Sequence, residues 1–356
     1  MKILFGIHGI THKEIAQSEI HAFQNRGVET AVCIYGNWGT VSGLFNSFKL
    51  VIKNAKEIKK QAAEQQSDII YLNTGLDFKT VVRDATTIFI LRRASKKRKI
   101  VLKIHGSQNG ILFSKTNLLK RYVFRKTDLF LVLSAEERES YMKIGVQPNR
   151  VQVTANAIDK SLYMPDPGFK KKTGIAASTS VLLFVGRFMH EKGILDLVEA
   201  CRILKAASAD FVLYCLGNGP LVPEVEKLID SYGLKDNIKL MGHIPENDTR
   251  YYYSNCDMLI LPTYHSEGFP MAVFQAVGAG KPVITTQIRA AADYMKAYEN
   301  CLWVEKQNPQ QLSKQIATIM NDKQLQATMR EHNLALAEKF TDAKIVDNVL
   351  EYLKHI

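Results

Sequence analysis

Short apolar runs alternate with amphipathic stretches along the whole chain. Mainly apolar runs stand at residues 2–7, 30–35, 68–72, 100–104, 129–133 and 151–153, and a second series follows at 181–185, 211–216, 238–240, 257–261 and 282–285. Continuous apolar strands separated by helical stretches are the rhythm of βα units, whose parallel sheets are buried on both faces. Between the two series, Pro165-Asp166-Pro167-Gly168 followed by Lys170-Lys171-Lys172 has a linker's composition. The pattern predicts an α/β protein of two domains, 1–165 and 166–340, with a last helix over 341–356. A length of 356 residues with 46% hydrophobic positions suffices for two cores.

The stretch LPTYHSEGFPMAVFQAVGAGKPVIT, residues 261–285, carries the most chemistry. An apolar strand ends at Leu261 and Pro262, a polar loop presents Glu267, and Gly268-Phe269-Pro270 reads as a helix entry, with proline at the first helical position. The N–H groups of about Met271, Ala272 and Val273 then point back at the loop, a setting that suits a diphosphate. Gln275 lies on the first turns of the same helix, Gly278 and Gly280 end it, and the next strand starts at Lys281. Residues 181–200, VLLFVGRFMHEKGILDLVEA, repeat the arrangement. Gly186 closes the strand, and Arg187 and Lys192 flank a turn that ends in Gly193, two cations suited to adjacent phosphates.

These segments carry a resemblance. VGRFMHEKG, then LGNGP with Gly217 and Asn218, then EGFPMAVFQAVGAGKPVI, in that order and spacing, resemble the donor half of family 4 (group 1) retaining glycosyltransferases of the GT-B fold. The similarity extends upstream through LVLSAEERESYMKIGV and VTANAID. The resemblance implies two Rossmann-like domains facing across a cleft, the first on the acceptor side and the second binding a nucleotide-sugar, with the final helix crossing back to the first. It further implies that Arg187 and Lys192 neutralise the donor diphosphate as it leaves and that Glu267 holds hydroxyls of the transferred sugar. The family's ribose-binding glutamate falls at position 275, where this chain has Gln275. An amide accepts with one atom and donates with the other, so altered ribose binding is expected.

In the first half, His105 ends the apolar strand of KIVLKIHGSQNG and precedes Gly106. Open α/β sheets place ligands at strand carboxyl ends, and the resemblance puts a histidine in this context beside the transferred sugar. The first strand runs into Gly6-Ile7-His8-Gly9-Ile10-Thr11, with a helix starting near Thr11 or His12. Family members often have paired glycines there, so Gly9 and Thr11 are expected on the donor and acceptor side, while His8 and His12 read as local structure. No D-x-D pair and no metal-ligand spacing of cysteine or histidine occurs. The expected reaction is therefore metal-independent, needs no cofactor, and uses a nucleotide-sugar, a UDP-sugar first, as substrate. By resemblance it retains anomeric configuration, and no carboxylate nucleophile stands out.

Charge sharpens the division. Residues 1–165 hold 26 Lys and Arg against 13 Asp and Glu, so the whole of the net +12 belongs to the first half. One source is the stretch 44–60, where Leu44, Phe48, Val51, Ala55 and Ile58 recur at helical spacing beside Lys49, Lys53, Lys56 and Lys60. Others are the run 92–99 and Lys120, Arg121, Arg125 and Lys126. Contact with an anionic membrane surface or a lipid-linked acceptor is expected. Nucleic acid is not, because no binding motif accompanies the basic runs. Five scattered cysteines fit a reducing compartment, and no apolar run is long enough for a signal peptide or a membrane span. These features point to a cytoplasmic location, peripheral to the membrane. The leading expectation is sugar transfer to a glycan or lipid-linked acceptor in cell-surface polysaccharide synthesis. A GT-B nucleotide-sugar epimerase and a non-catalytic sugar-binding protein are the alternatives.

Overall fold

The computed structural model describes the chain apart from residues 9–12, 37–42 and 106–117, and apart from the side chains of residues 8, 13–15, 44 and 78. Gly9, Thr11, His12, Gly106 and the side chain of His8 therefore lie outside the described residues. The chain divides into two compact units. The first comprises Met1–Ala157, Ser266–Phe269 and Thr341–Ile356, and the second Ile158–His265 and Pro270–Phe340. The division falls ahead of the Pro165–Gly168 run, which belongs to the second unit.

The expected linker is a folded segment. Phe169–Lys172 forms one helical turn. Phe169 is buried against the rings of Tyr251 at 5.4 Å and Tyr214 at 6.0 Å. Asp166 accepts from the Gly168 N–H at 2.8 Å, from Tyr251 Oη at 3.0 Å and from Lys172 Nζ at 2.6 Å. The polar composition is used for a local knot around one carboxylate.

In the first unit, strands β1 (Lys2–His8), β2 (Glu29–Gly36), β3 (Ile69–Thr74), β4 (Lys99–Ile104), β5 (Leu129–Val132) and β6 (Val151–Val153) form one parallel sheet in the order β2-β1-β3-β4-β5-β6. Alternation sends Ile3, Phe5, Tyr71, Val101 and Leu131 to one face, under Phe23, Val346 and Val349, and Leu4, Ile70, Leu72, Leu102 and Val132 to the other, over Ile58, Ile88 and Val123. The last helix, Asp342–Lys354, packs on helix Lys13–Gln24, where Arg26 pairs with Asp347. Helix Leu44–Glu64 buries Val51, Ala55 and Ile58 as its spacing predicts, but leaves Phe48 44% exposed.

In the second unit, β7 (Ser180–Val185), β8 (Phe211–Leu216), β9 (Ile238–Gly242), β10 (Met258–Leu261), β11 (Val283–Thr285) and β12 (Cys301–Trp303) form a parallel sheet in the order β12-β11-β10-β7-β8-β9. The chain starts in the middle at β7, builds outward through β8 and β9, then returns to the other side of β7 with β10. Parallel crossovers that reverse direction in this way leave a crevice at the strand carboxyl ends, here between β7 and β10. Strand β12 is three residues long at the sheet edge. All five cysteines are free thiols and buried.

Candidate functional site

The reversal point of the second sheet is built by backbone against backbone. Gly186 donates its N–H to Leu216 O at 3.0 Å, and Gly217 stands so close that a Cβ on it would lie 1.9 Å from Gly186 O. With φ at 139°, Gly217 holds a conformation that L side chains rarely adopt. Across the crevice, Gly193 (φ 71°) begins helix Ile194–Ala206, and a Cβ there would meet Pro262 O at 2.5 Å. The loop after β10 is pinned by a single acceptor. The carbonyl of Glu191 receives the N–H of Tyr264 at 2.9 Å and of His265 at 3.1 Å, and Thr263 Oγ1 at 3.0 Å. Thr286 Oγ1 in turn donates to Thr263 O. The loops after β7, β10 and β11 are thus one assembly.

Positive charge is concentrated there. Lys192 is only 6% exposed, and burial, with the Arg187 guanidinium as the next cause, brings its amine down to about 8, Glu191 opposing. His265 is also held below its ordinary value, first by burial and then by Lys192, Arg187 and Arg289. Arg289 is 6% exposed and holds φ at 43°, unusual for a bulky side chain. Four cationic or potentially cationic groups therefore converge at a strand-end crevice, where an anion would relieve their mutual repulsion. Sequence reasoning found Arg187 and Lys192 and missed His265 and Arg289. His265 lay inside the quoted motif, but no local signal marks Arg289, which the β11 crossover brings in.

The predicted donor segment is shared between the two units. Glu267, Gly268 and Phe269 group with the first unit, where a Cβ on Gly268 would lie 3.0 Å from Leu133 Cβ and 3.1 Å from the buried Glu137 carboxylate. Pro270, Met271 and Ala272 group with the second. The helix starts at Met271, with Pro270 as its N-cap residue rather than its first helical one. Pro270 O accepts from Val273 N at 3.0 Å, so the Val273 N–H is engaged within its own turn instead of pointing at the loop. Asn218 uses its side-chain oxygen to accept from Gly219 N at 2.7 Å.

Gln275 has a structural reason. Its Nε2 donates to Glu246 Oε1 over 3.3 Å. A glutamate at 275 would set two carboxylates side by side, and like charges at that distance disfavour ionisation of one of them. The amide keeps the contact without the repulsion.

In the first unit, His105 follows β4 and donates its backbone N–H to Thr74 O at 2.8 Å. Its Nε2 is 2.7 Å from Asn73 Oδ1, while Asn73 Nδ2 donates to Gly6 O at 3.4 Å. That bond fixes which way the amide faces, so Oδ1 accepts and Nε2 of His105 carries the proton. The pair stands where β1 and β3 part, the reversal point of the first sheet.

Among the described residues no three His, Cys, Asp or Glu side chains group as metal ligands. No described helix is long and apolar enough to cross a membrane.

Two parallel six-stranded sheets, each with its reversal point, define a GT-B protein. Its structure is similar over 100% of both chains to Anabaena HepE in complex with UDP and glucose, with a TM-score of 0.78 at 20% identity. On the sequence side, residues 166–334, just under half of the chain, match the glycosyl transferases group 1. An uncharacterized glycosyltransferase of Methanocaldococcus jannaschii is 27% identical over 256 residues, 70% of this chain and 66% of its own length. An Escherichia coli glycosyltransferase named for colanic acid biosynthesis is 26% identical over 220 residues, 59% of this chain and 53% of its own. The match thus spans less than two thirds of either relative.

Proposed function

We propose that the chain is a hexosyltransferase-type glycosyltransferase, moving a sugar from a nucleoside diphosphate sugar, UDP-sugar first, to a glycan or lipid-linked acceptor with retention of configuration. The observation that carries this reading is the cationic group Arg187, Lys192, His265 and Arg289 at the reversal point of the second sheet. When the glycosidic bond breaks, the diphosphate gains charge on its bridging oxygen. Preset cations stabilise that charge more than they stabilise the bound donor, which is what lowers a barrier. The chain's own cations do this without a divalent ion, and no resident cofactor is needed. Gly186, Gly217 and Asn218 shape the loops that admit the phosphates. Met271 and Ala272 present the helix entry, and Gln275 with Glu246 offers one amide and one carboxylate to the ribose. Glu267 and His105 are assigned to the transferred sugar, His105 in the tautomer that Asn73 fixes.

Polysaccharide synthesis is the setting favoured by the colanic acid relative. The acceptor is proposed to be met at an anionic membrane surface, which the basic first half attracts. Helix Leu44–Glu64 supports this with Phe45 at 70% exposure and Lys49 4.3 Å over its ring. The amphipathic face and the lysines beside it suit an interface.

Thermal shift with UDP-, GDP- and ADP-sugars tests the donor assignment. One nucleotide series is expected to stabilise the protein, and Lys192→Ala to abolish that stabilisation and lower turnover by about 10²- to 10³-fold. Turnover undiminished by EDTA is expected. Undiminished donor binding in Lys192→Ala would overturn the phosphate assignment, and turnover of the sugar with no acceptor present would favour an epimerase.

A further inference from the structure

A second basic site lies in the first unit, at the opposite end of its sheet from His105. A cavity of about 430 Å³ is lined by Arg92, Lys96, Lys99, Arg125, Lys126 and Arg150, with Thr127, Asp128, Asn149, His355 and Ile356 completing the wall. Lys99 opens β4, Asp128 precedes β5 and Arg150 precedes β6, so the cavity sits at the amino-terminal ends of these strands. Ligand crevices of parallel sheets lie at the carboxyl ends, so this site is separate from the one that the transferase reading uses.

Part of the charge has a structural task. Arg92 caps Lys126 O at 2.7 Å and Arg98 O at 2.8 Å and pairs with Asp128, the one carboxylate side chain in the lining. Arg150 holds Phe124 O at 2.7 Å and also bonds Thr127 O. Such bonds to the last carbonyls of a helix are an ordinary use for arginine. They account for Arg92, Arg150 and Asp128 and leave the others. Among the described residues, Lys96, Lys99, Arg125 and Lys126 form no ion pair and no side-chain hydrogen bond, and Lys99 and Lys126 are half-buried. Four unneutralised cations around a cavity of this size repel one another. They lower their energy by taking up a compact group with two or more negative charges.

We propose that this cavity is a binding site for a phosphate-bearing ligand, a diphosphate or a phosphomonoester, delivered either in solution or as the headgroup of an anionic lipid. Two rigid arginines held by carbonyls frame the site. The four remaining cations supply the charge, and Thr127 and Asn149 supply neutral polar groups beside them.

The test titrates inorganic pyrophosphate by calorimetry into the full chain carrying Lys192→Ala, so that the other phosphate-type site is disabled. Binding is expected, weakened at least tenfold by adding Lys96→Ala, Lys99→Ala and Lys126→Ala. Adding Lys53→Ala, Lys56→Ala and Lys60→Ala instead removes the same charge from helix Leu44–Glu64 and is expected to leave binding unchanged. Absence of binding, or equal weakening in the two triple variants, overturns the proposal. Thermal denaturation confirms that both triples fold, and Arg92 and Arg150 are left intact for that reason. Flotation on phosphatidate and phosphatidylcholine vesicles then separates the sources. Displacement by pyrophosphate that disappears in the cavity triple assigns a headgroup, and flotation indifferent to pyrophosphate assigns a soluble ligand.

Discussion

Two buried lysines meet opposite treatment in this molecule. Lys103, 1% exposed in β4, places Nζ 3.0 Å from Glu19, whose other oxygen accepts from Tyr71 Oη at 2.9 Å. Lys192, 6% exposed in the second unit, has Arg187 near enough to push its amine down further than burial alone. The first lysine is neutralised by its own fold. The second has burial and the Arg187 guanidinium set against its charge and Glu191 in its favour, a balance that an incoming anion would tip toward the charged amine. Burial alone would have classed the two together, and their neighbours tell them apart.

Breaking the first pair is expected to have the largest effect. Lys103→Met leaves Glu19 charged in the core and should destabilise the protein by about 3–5 kcal/mol, read by denaturant unfolding. Adding Glu19→Gln should recover much of that, because the amide still accepts from Tyr71. Equal stability of Lys103→Met and the parent would mean that the pair is solvated and the contrast with Lys192 false.

The same contrast predicts a pH signature. The amine of Lys192 sits at about 8 in the folded protein against an ordinary 10.5, so between these values the unfolded chain binds more protons than the folded one. Stability from this group therefore rises with pH across that window, being least where the amine is charged in both states. Donor affinity should move the other way, falling as pH rises above about 8, because the phosphate needs the charged amine. Lys192→Met should abolish both trends. A donor affinity flat from pH 7 to 10 would show that Lys192 does not meet the phosphate.

How much of this was legible in the sequence follows from what each feature depends on. Buried parallel strands are continuous apolar runs, so eleven of the twelve strands could be read from the chain. β12 could not, since Cys301–Trp303 is too short to give a period. Phe169 betrayed nothing either, because its burial depends on Tyr214 and Tyr251 arriving from distant helices and strands. At the site, Arg187 and Lys192 stand beside glycines in one local turn, a pattern a reader can see. His265 and Arg289 join them only because the sheet order places β10 beside β7 and β11 beside β10. The grouping of Ser266–Phe269 with the first unit was equally hidden, since Gly268 is held by Leu133 and Glu137 from far earlier in the chain.

Arg289 offers a smaller and cleaner separation. Its backbone occupies the left-handed region at φ 43°, which costs a non-glycine residue about 1–2 kcal/mol. Arg289→Gly removes both the strain and the charge. Folding stability should stay level or rise slightly, while donor affinity falls about tenfold, the loss of one charged contact worth about 1.4 kcal/mol. A parallel loss of stability and affinity would make Arg289 a packing residue.

The smallest expected effect concerns a contact in which one charge has already been removed. Gln275 donates to Glu246 over 3.3 Å near the surface. Gln275→Glu creates two carboxylates where there was one, with solvent to screen them. Exposed pairs of this kind are worth up to about 1 kcal/mol, so the change in donor KM should not exceed about fivefold. It should grow with pH through the carboxylate range and then level off once both groups are ionised. Glu246→Gln added to Gln275→Glu exchanges the two groups and should restore the parent value, since an amide again faces a carboxylate. If the exchange fails to restore KM while the single change raises it, the ribose reads position 275 directly and Glu246 is only a bystander. If neither variant alters KM, the pair lies off the donor altogether, and like charge in the second unit matters at Lys192 but not at the Glu246 carboxylate.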